Sequence, residues 1–395
     1  MSNPLNADRP AIRPETRAMI ERLIAFDTTS RNSNLELIHY VRDYLADLGV
    51  TAQLVHDSEG RKANLYATLG PTDRPGIALS GHTDVVPIDN QDWTRDPWAV
   101  SEHDGRLYGR GTCDMKSFIA IALAHAPRFL AGELQTPLHL CFSYDEEVGC
   151  KGVPSLLAFL ADQPIRPAMC VVGEPTDMKV IVGHKGKKSM CCHVRGKEAH
   201  SSLAPQGVNA VNAAARVVGY LADMAARKAA QGPFDDDFDV PFTTVHTGTI
   251  EGGTQLNIVP GHCRFEFEFR YLPQDDPEAL LAEVKAYAER ELVPAMQAVD
   301  PATGFTWEEI AGFPGLNLAP GAEVIELAKA LSGGNATGKV AFGTEAGLFD
   351  HNGIPTVVCG PGSIAQAHKP DEFVALEQLA LCERFMDRLE ERLRG

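Results

Sequence analysis

The chain has 395 residues and a formal net charge of −17 at pH 7, with 44% hydrophobic and 23% charged residues. This balance is typical of a globular protein, and the length predicts two domains rather than one. Nucleic acid and anionic membranes both require a basic surface, so the acidic charge argues against either partner. No apolar run approaches the roughly 18 residues of a membrane span. The polar start "MSNPLNADRPAIRPETRAM" lacks the pattern of a secretory signal, so we expect a cytoplasmic protein.

The nine cysteines are an odd number and include no Cys-x-x-Cys pair. Several lie inside apolar runs, such as Cys141 in "LHLCFSY" and Cys170 in "AMCVVGE". This placement predicts buried, reduced thiols in a reducing compartment rather than a disulfide framework.

The first third of the chain alternates helix and strand patterns. In "NLELIHYVRDYLADLGV", one helical stripe that Gly49 ends is formed by Leu37, Val41, Leu45 and Leu48. Short apolar strands follow in "GIALS", "LHLCFSY" and "AMCVVGE", and "MKSFIAIALAHAPRFL" predicts a helix beginning just after Asp114. Apolar strands between helices predict an α/β domain, with a mixed, largely parallel sheet and helices on both faces.

The pattern changes in the middle of the chain. In "CRFEFEFRYL", Phe265 and Phe267 share one face while charged side chains occupy the other. Such period-2 alternation is typical of an antiparallel sheet with one covered face. We therefore predict an inserted α+β domain over residues 184–292, and a first domain formed by residues 1–183 and 293–395.

Polar residues of one chemical type follow the predicted strands of the α/β domain. They are His82, Asp84, Asp114, Glu146, Glu147, Glu174 and His368. Ligands bind beyond the carboxyl ends of such strands, so we expect these side chains to converge. Imidazoles and carboxylates suit two divalent metals such as zinc, with one carboxylate bridging. Of two adjacent glutamates, one can bind metal while the other acts as general base, which is machinery for hydrolysing amides.

Each of these residues also has an ordinary structural explanation. Asp114 is well placed to cap the helix that follows it. Glu146 and Glu147 fit a solvated turn, and His368 fits an exposed loop rich in glycine and proline. Their joint occurrence at successive strand ends favours the metal site.

Five motifs together carry a resemblance to a known family. "SGHTDVVP", "GRGTCDMK", "DEEVGCKG", "GEPT" and "AHKPDE" resemble the dinuclear zinc amidohydrolases that include aminoacylase and succinyl-diaminopimelate desuccinylase. The resemblance covers nearly the whole chain and implies a zinc-exopeptidase-like fold with two divalent ions, zinc first, with cobalt or manganese as alternatives. It implies that Asp114 bridges both ions, that His82 and Glu174 complete one site, and that Glu147 and His368 complete the other.

The resemblance also implies roles around the metals. Glu146 would be the general base and would later give its proton to the leaving amine. Asp84 would hydrogen-bond the second ring nitrogen of His82 and fix its tautomer.

In this family the inserted domain makes a homodimer. The resemblance places His200 of "GKEAHSS" in the partner's active site, where it would steady the oxyanion. Asn257 and Arg270 would hold the α-carboxylate of the substrate. The structural alternatives are an inert loop for His200 and an outward salt bridge for Arg270.

The stretch "AFGTEAGLFDHNGIPTVVCGPGSIAQAHKPDEFV" is most similar to the family members that hydrolyse N2-acetyl-L-ornithine to L-ornithine and acetate in arginine biosynthesis. Glu345 would then favour a cationic substrate side chain, unless it is a solvated loop acid. N-succinyl-diaminopimelate, N-acetylcitrulline or another N-acyl amino acid are alternative substrates. A homologue that binds metal or an amino acid without catalysis is disfavoured by the presence of Glu146. A nucleotide-binding oxidoreductase is disfavoured because no Gly-x-Gly-x-x-Gly turn follows the first strand.

Overall fold

A computed structural model describes residues 12–395. Residues 1–11, on which the interpretation of the N-terminal segment partly rests, lie outside the described residues. Contacts between Cα atoms divide the chain into two compact units. Of the described residues, unit 1 comprises residues 12–183, Asn317–Lys339 and Thr344–Gly395, and unit 2 comprises His184–Leu316 and Val340–Gly343.

The α-helices and β-strands are numbered in chain order. The helices are α1 (Pro14–Ile24), α2 (Leu35–Asp47), α3 (Lys116–Leu130), α4 (Val153–Ala161), α5 (Ala210–Gln231), α6 (Pro277–Glu291), α7 (Val293–Gln297), α8 (Glu323–Ser332), α9 (Ala346–His351) and α10 (Leu376–Arg394). The strands are β1 (Ala52–His56), β2 (Ala63–Leu69), β3 (Ile77–His82), β4 (Ser101–His103), β5 (Arg106–Tyr108), β6 (Leu138–Ser143), β7 (Met169–Pro175), β8 (Val180–His184), β9 (Gly186–Arg195), β10 (Thr244–Gly252), β11 (His262–Tyr271), β12 (Gly304–Phe313), β13 (Leu316–Asn317), β14 (Thr337–Val340), β15 (Thr356–Gly360) and β16 (Phe373–Ala375).

The largest sheet has nine strands and is mixed. Its order is β1-β2-β6-β3-β7-β15-β8-β13, with β14 paired to β8. The central strands β6, β3, β7 and β15 run parallel, while β1, β2 and β8 join antiparallel. Every residue of β3, β6 and β15 is buried, which requires cover on both faces because side chains alternate along a strand. The predicted α/β fold with a mixed sheet is confirmed.

A second, three-stranded sheet of unit 1 has the order β16-β5-β4. Its β5 pairs antiparallel with β16, so that Tyr108 faces Phe373. The loop that leaves β5 carries "GRGTCDM", and the loop that enters β16 carries "AHKPDE". This pairing brings together two motifs that are more than 250 residues apart in the sequence.

Unit 2 contains an antiparallel sheet of four strands in the order β10-β11-β9-β12. On β11, Phe265, Phe267 and Phe269 are buried in a core formed with α5 and α6, and the residues between them are partly exposed. The predicted alternation is therefore present. Unit 2 extends beyond residue 292, where the sequence prediction ended, because β12 pairs with β9 from Lys187 to Arg195.

The cysteines match the prediction from sequence, since all nine are unpaired and buried. Within residues 12–395, no helix combines the length and apolar character needed to cross a bilayer.

Candidate metal centre

The imidazole of His82 lies at the carboxyl end of β3 and is 1% exposed. Its Nδ1 is 2.8 Å from the main-chain carbonyl oxygen of Asp84, which accepts the ring N–H. Its Nε2 lies 2.9 Å from Asp114 Oδ1 and 3.5 Å from Glu174 Oε1. The carbonyl thus fixes the tautomer and turns Nε2, the nitrogen that can bind a metal, toward two carboxylates.

The carboxylate of Asp84 has a different set of partners. It is 3.6 Å from Nδ1 of His82, whereas Oδ1 accepts the main-chain N–H of Glu146 at 3.0 Å. Its Oδ2 accepts the N–H of Glu147 at 3.3 Å and the hydroxyl of Ser30 at 2.7 Å. Asp84 therefore orients His82 through its carbonyl oxygen and holds the turn of the two glutamates through its carboxylate.

Asp114 lies between two histidines. Its Oδ1 faces His82, and its Oδ2 is 3.2 Å from Nε2 of His368. Burial opposes ionisation here, but the hydrogen bonds from the two imidazoles hold the pKa of Asp114 well below its usual range. A carboxylate with one oxygen toward each imidazole has the geometry of a bridging ligand.

The remaining predicted ligands surround Asp114. Glu147 Oε2 is 3.0 Å from Nε2 of His368, and Glu174 is 4% exposed on β7. Two groups of side chains have ligand atoms within 4.8 Å of one another. They are His82, Asp114 and Glu147, and His82, Glu146 and Glu174. The structure thus brings together all seven residues that the sequence placed at strand ends.

The electrostatics of this cluster fit bound cations. Burial raises the pKa of Glu146, Glu147 and Glu174, because several carboxylates share a small volume out of water. Hydrogen bonds to Asp114 and Glu147 raise the pKa of His368 to about 10. Within the described residues, Oε1 of Glu147 is buried without a hydrogen-bond partner. A divalent cation would satisfy that oxygen and offset the repulsion, and imidazole nitrogens with carboxylate oxygens are donors that zinc prefers.

Three predicted residues lie in unit 2. His200 is exposed, and its Nδ1 accepts the N–H of Ser202 at the start of the 3-10 helix Ser201–Gln206. Asn257 is exposed, and its main-chain carbonyl oxygen accepts the main-chain N–H of Ser201 at 2.9 Å. Arg270 donates through Nε to a carboxylate oxygen of Glu268 at 3.0 Å. This is a salt bridge of the kind that the sequence offered as the alternative to substrate binding.

Glu345 is placed differently from the sequence expectation. The residue is 0% exposed in unit 1, at the start of α9. Its two carboxylate oxygens accept the hydroxyls of Ser80 on β3 and Ser143 on β6, each at 2.6 Å. This placement does not support the expectation that Glu345 meets a cationic substrate group, because its carboxylate lies inside the protein and is already hydrogen-bonded.

Two residues of the quoted motifs were given no role from the sequence. Arg110 of "GRGTCDMK" and Glu372 of "AHKPDE" are both 1% exposed and form an ion pair at 2.7 Å. Their position inside the motifs is the feature of the sequence that could have drawn attention to them. That they form a buried pair could not be predicted without the pairing of β5 with β16.

The fold and this cluster define a metal-dependent hydrolase built on an α/β sheet. The pattern of Peptidase family M20/M25/M40 matches residues 78–392. The acetylornithine deacetylase of Myxococcus xanthus is 38% identical over 381 residues, covering 95% of this chain and 96% of that protein. The acetylornithine deacetylase of Pasteurella multocida (strain Pm70) is 33% identical, covering 92% and 94%. The chain belongs to Peptidase family M20/M25/M40.

Solved structures agree on the fold. An M20-family metallo-carboxypeptidase from Sulfolobus solfataricus has a TM-score of 0.75 at 18% identity, covering 96% of this chain and 99% of that chain. A dinuclear metal-binding peptidase of the M20 family from Bacillus subtilis has a TM-score of 0.61 at 15% identity, covering 96% and 99%.

Proposed function

We propose that the protein hydrolyses N2-acetyl-L-ornithine to L-ornithine and acetate with the help of two divalent metal ions. The observation that carries the proposal is the convergence of His82, Glu174, Glu147 and His368 around the carboxylate of Asp114. Similarity to two acetylornithine deacetylases over more than nine-tenths of the chain supports the substrate.

The ligands divide into two sets that share one residue. We assign Asp114 as the bridge, His82 and Glu174 to one ion, and Glu147 and His368 to the other. The short distances from each imidazole to its own oxygen of Asp114 support this division. Zinc is the ion we propose, and cobalt or manganese would satisfy the same donors.

The bound ions would lower the pKa of a water molecule and polarise the amide carbonyl. Glu146 takes a proton from the attacking water, whose oxygen forms the new bond to the acetyl carbon. Glu146 then delivers that proton to the amide nitrogen as the C–N bond breaks, and the remaining proton of the water passes from the acetic acid to the amine, so acetate and the ammonium form of the product leave. The hydrogen bond from the Glu146 main-chain N–H to Asp84 supports this role, since it fixes the point from which the side chain extends.

We also propose a homodimer formed through unit 2, in which His200 of a second copy steadies the developing oxyanion. Exposed apolar side chains in unit 2 support an associating surface: Leu256 is 101% exposed, Ile250 51% and Ile258 36%. Light scattering should give twice the mass of one chain, and a mass of one chain would argue against the dimer.

Asn257 and Arg270 are proposed to hold the substrate carboxylate. The guanidinium has N–H groups besides the Nε that pairs with Glu268, and a two-pronged fork suits a carboxylate. Replacing Arg270 with Met should therefore raise KM more than it lowers kcat, which steady-state kinetics can measure.

A second candidate is the same chemistry on another N-acyl amino acid. The burial of Glu345 favours retaining this second candidate, because the anionic group expected to select ornithine is already hydrogen-bonded inside unit 1.

We further propose a cytoplasmic location, which the nine unpaired cysteines support.

The variant Glu146→Gln separates catalysis from metal binding. It keeps the side-chain size but removes the proton acceptor, so we expect kcat to fall about 10²–10⁴-fold while metal content stays at the wild-type level. Amine release and elemental analysis measure the two quantities. Glu36→Gln, at an exposed position of α2, is the control and should change neither. Full turnover in Glu146→Gln would refute the general-base role.

A further inference from the structure

A buried carboxylate holds the loop that presents Asp114. Glu372 is 1% exposed, and its Oε1 accepts the main-chain N–H groups of Cys113 at 2.8 Å, Asp114 at 3.0 Å and Gly111 at 3.1 Å. Oε2 lies 3.1 Å from the same N–H of Gly111. The backbone of the proposed bridging ligand is therefore fixed by a residue from the loop that carries His368.

Arg110 completes the pair with Glu372. Its Nη1 is 2.7 Å from Oε2 of Glu372, its Nη2 is 2.6 Å from Oε1 of Gln91, and its guanidinium lies over the ring of Trp93 at 5.0 Å. A buried ion pair costs desolvation energy that its own attraction often fails to repay. Its presence beside a proposed metal centre therefore points to a task in geometry rather than in stability.

Gln91 extends the network to the other loop. Its Nε2 donates to the main-chain carbonyl of His368 at 3.0 Å, and the indole N–H of Trp93 donates to its Oε1 at 3.0 Å. Because Oε1 accepts from Trp93 and Arg110, the amide is oriented with its N–H₂ toward His368. The backbone of His368 has a φ of 63°, a conformation that residues other than glycine rarely keep without such support.

We propose that Glu372, Arg110 and Gln91 are positioning residues that set the spacing between Asp114 and His368, and thereby control binding of the ion held by Asp114, Glu147 and His368. The inference rests on the proposed function, because it needs that ion. Among the hydrogen bonds of the described residues, none joins these three side chains to His82 or Glu174. Gln91 contacts the His368 loop and not Asp114, so loosening it should weaken binding of the ion that His368 holds and spare the other. Glu372 holds the backbone of the shared Asp114, so loosening it should weaken binding of both ions.

The variant Gln91→Met tests this selectivity. Methionine matches glutamine in length but cannot donate to the His368 carbonyl or accept from Arg110, and the position is only partly buried. Loss of a partner beyond the direct ligands typically weakens metal binding about 10–100-fold. We expect a loss of about 10-fold for one ion and none for the other. Chelator competition gives the two affinities, and elemental analysis gives the number of ions per chain.

A second readout separates positioning from general stability. Excess metal should restore the turnover of Gln91→Met to near the wild-type level, because the network does not touch Glu146 or the proposed substrate groups. Its thermal midpoint in the metal-free form should fall only slightly, because Arg110 and Trp93 each lose one hydrogen-bond acceptor. Glu372→Gln should weaken binding of both ions, because Glu372 holds the backbone of the shared Asp114, and Gln91→Met still decides the question if that variant does not fold.

Thr94→Val provides the matched control. Thr94 donates its hydroxyl to Asp371 at 2.7 Å, and so joins the same two loops without contacting the backbone of Asp114 or His368. Both metal affinities should stay at the wild-type values in this variant.

Each outcome bears on one of the two claims. Two ions in the wild type, with selective loss of one affinity in Gln91→Met, support the inference. Two ions bound equally well in both proteins overturn it and leave the proposed function standing. Equal weakening of both ions in Gln91→Met, or the same selective loss in Thr94→Val, also overturns it. A wild-type chain that binds no divalent ion overturns both claims.

Discussion

Asp84 illustrates how one residue can serve two needs. The sequence places it two positions after His82, and the expected hydrogen bond to the ring is made by its carbonyl oxygen at 2.8 Å. The carboxylate is thereby left to hold the turn of Glu146 and Glu147. Spacing in the sequence predicts that the residues meet, but it does not distinguish the main-chain from the side-chain oxygen, because that depends on how the chain turns after β3.

Glu345 gives a prediction that separates substrate selection from internal support. Glu345→Gln offers one acceptor oxygen instead of two to the hydroxyls of Ser80 and Ser143. We expect the free energy of unfolding to fall by about 1–2 kcal/mol. The ratio of kcat/KM for N-acetylornithine to that for N-acetylmethionine should stay unchanged, since the carboxylate does not reach solvent. Urea unfolding and steady-state kinetics measure the two effects. A drop of about 10-fold or more for N-acetylornithine alone would instead make Glu345 a selector.

His139 predicts a pH dependence of stability. Burial lowers the pKa of His139 to about 4, and its Nδ1 lies 2.9 Å from the hydroxyl of Tyr66. In the unfolded chain a histidine takes up a proton below about pH 6.5. The unfolded state therefore binds more protons between these values, so acid lowers the free energy of unfolding. From pH 7 to pH 5 the contribution of His139 amounts to about 2 kcal/mol.

The variant His139→Gln removes this contribution. Urea unfolding at pH 7 and pH 5 should show that it loses about 2 kcal/mol less than the wild type on acidification. His103→Gln, which removes an exposed imidazole, should follow the wild type. Equal losses in all three proteins would show that His139 is protonated in the folded state.

At the scale of elements, helix α3 packs directly on strand β7 beside the proposed ligand Glu174. A Cβ added at Gly173 would lie 2.0 Å from the ring of Phe118 on α3. Gly173→Ala should therefore lower the free energy of unfolding by about 1–3 kcal/mol. It should also lower the affinity for the ion assigned to His82 and Glu174. Calorimetry and chelator competition measure these changes.

A second glycine provides a control in which the same substitution should raise stability rather than lower it. Gly219 is exposed within α5, and a Cβ there would meet nothing within 4 Å. Gly219→Ala should raise stability by about 0.5–1 kcal/mol, since alanine loses less backbone entropy in a helix. A Gly173→Ala protein as stable as the wild type would show that Phe118 can move aside without cost.

Elements differ in how far the sequence predicts them. The stripe of Leu37, Val41 and Leu45 predicted α2, and the alternation in "CRFEFEFRYL" predicted β11. The pairing of β5 with β16 was not predicted, because each strand has three residues and carries no periodicity of its own. That pairing is what places Arg110 against Glu372.

For the whole molecule, one topological rule accounts for most of the site. The carboxyl ends of the parallel strands β3, β6 and β7 lie at one edge of the sheet, so the acids and the histidine that follow them converge. The rule does not predict how deeply a side chain is buried. Glu345 was therefore expected near the substrate, although serines of β3 and β6 hydrogen-bond its carboxylate inside the protein. The rule also does not predict which strands pair when they lie far apart in the sequence. The extent of unit 2 was therefore not predicted, because it depends on the pairing of β12 with β9.

The central claim is metal-dependent release of an amino acid from its N-acetyl form. The most direct measurement is amine release from N-acetylornithine, N-acetylcitrulline, N-acetylmethionine and N-succinyl-diaminopimelate, before chelation, after chelation and after zinc is returned. We predict hydrolysis that chelation abolishes and zinc restores, with the highest kcat/KM for N-acetylornithine. Hydrolysis that survives complete removal of metal, or no hydrolysis of any of the four by the metal-loaded protein, would contradict the account.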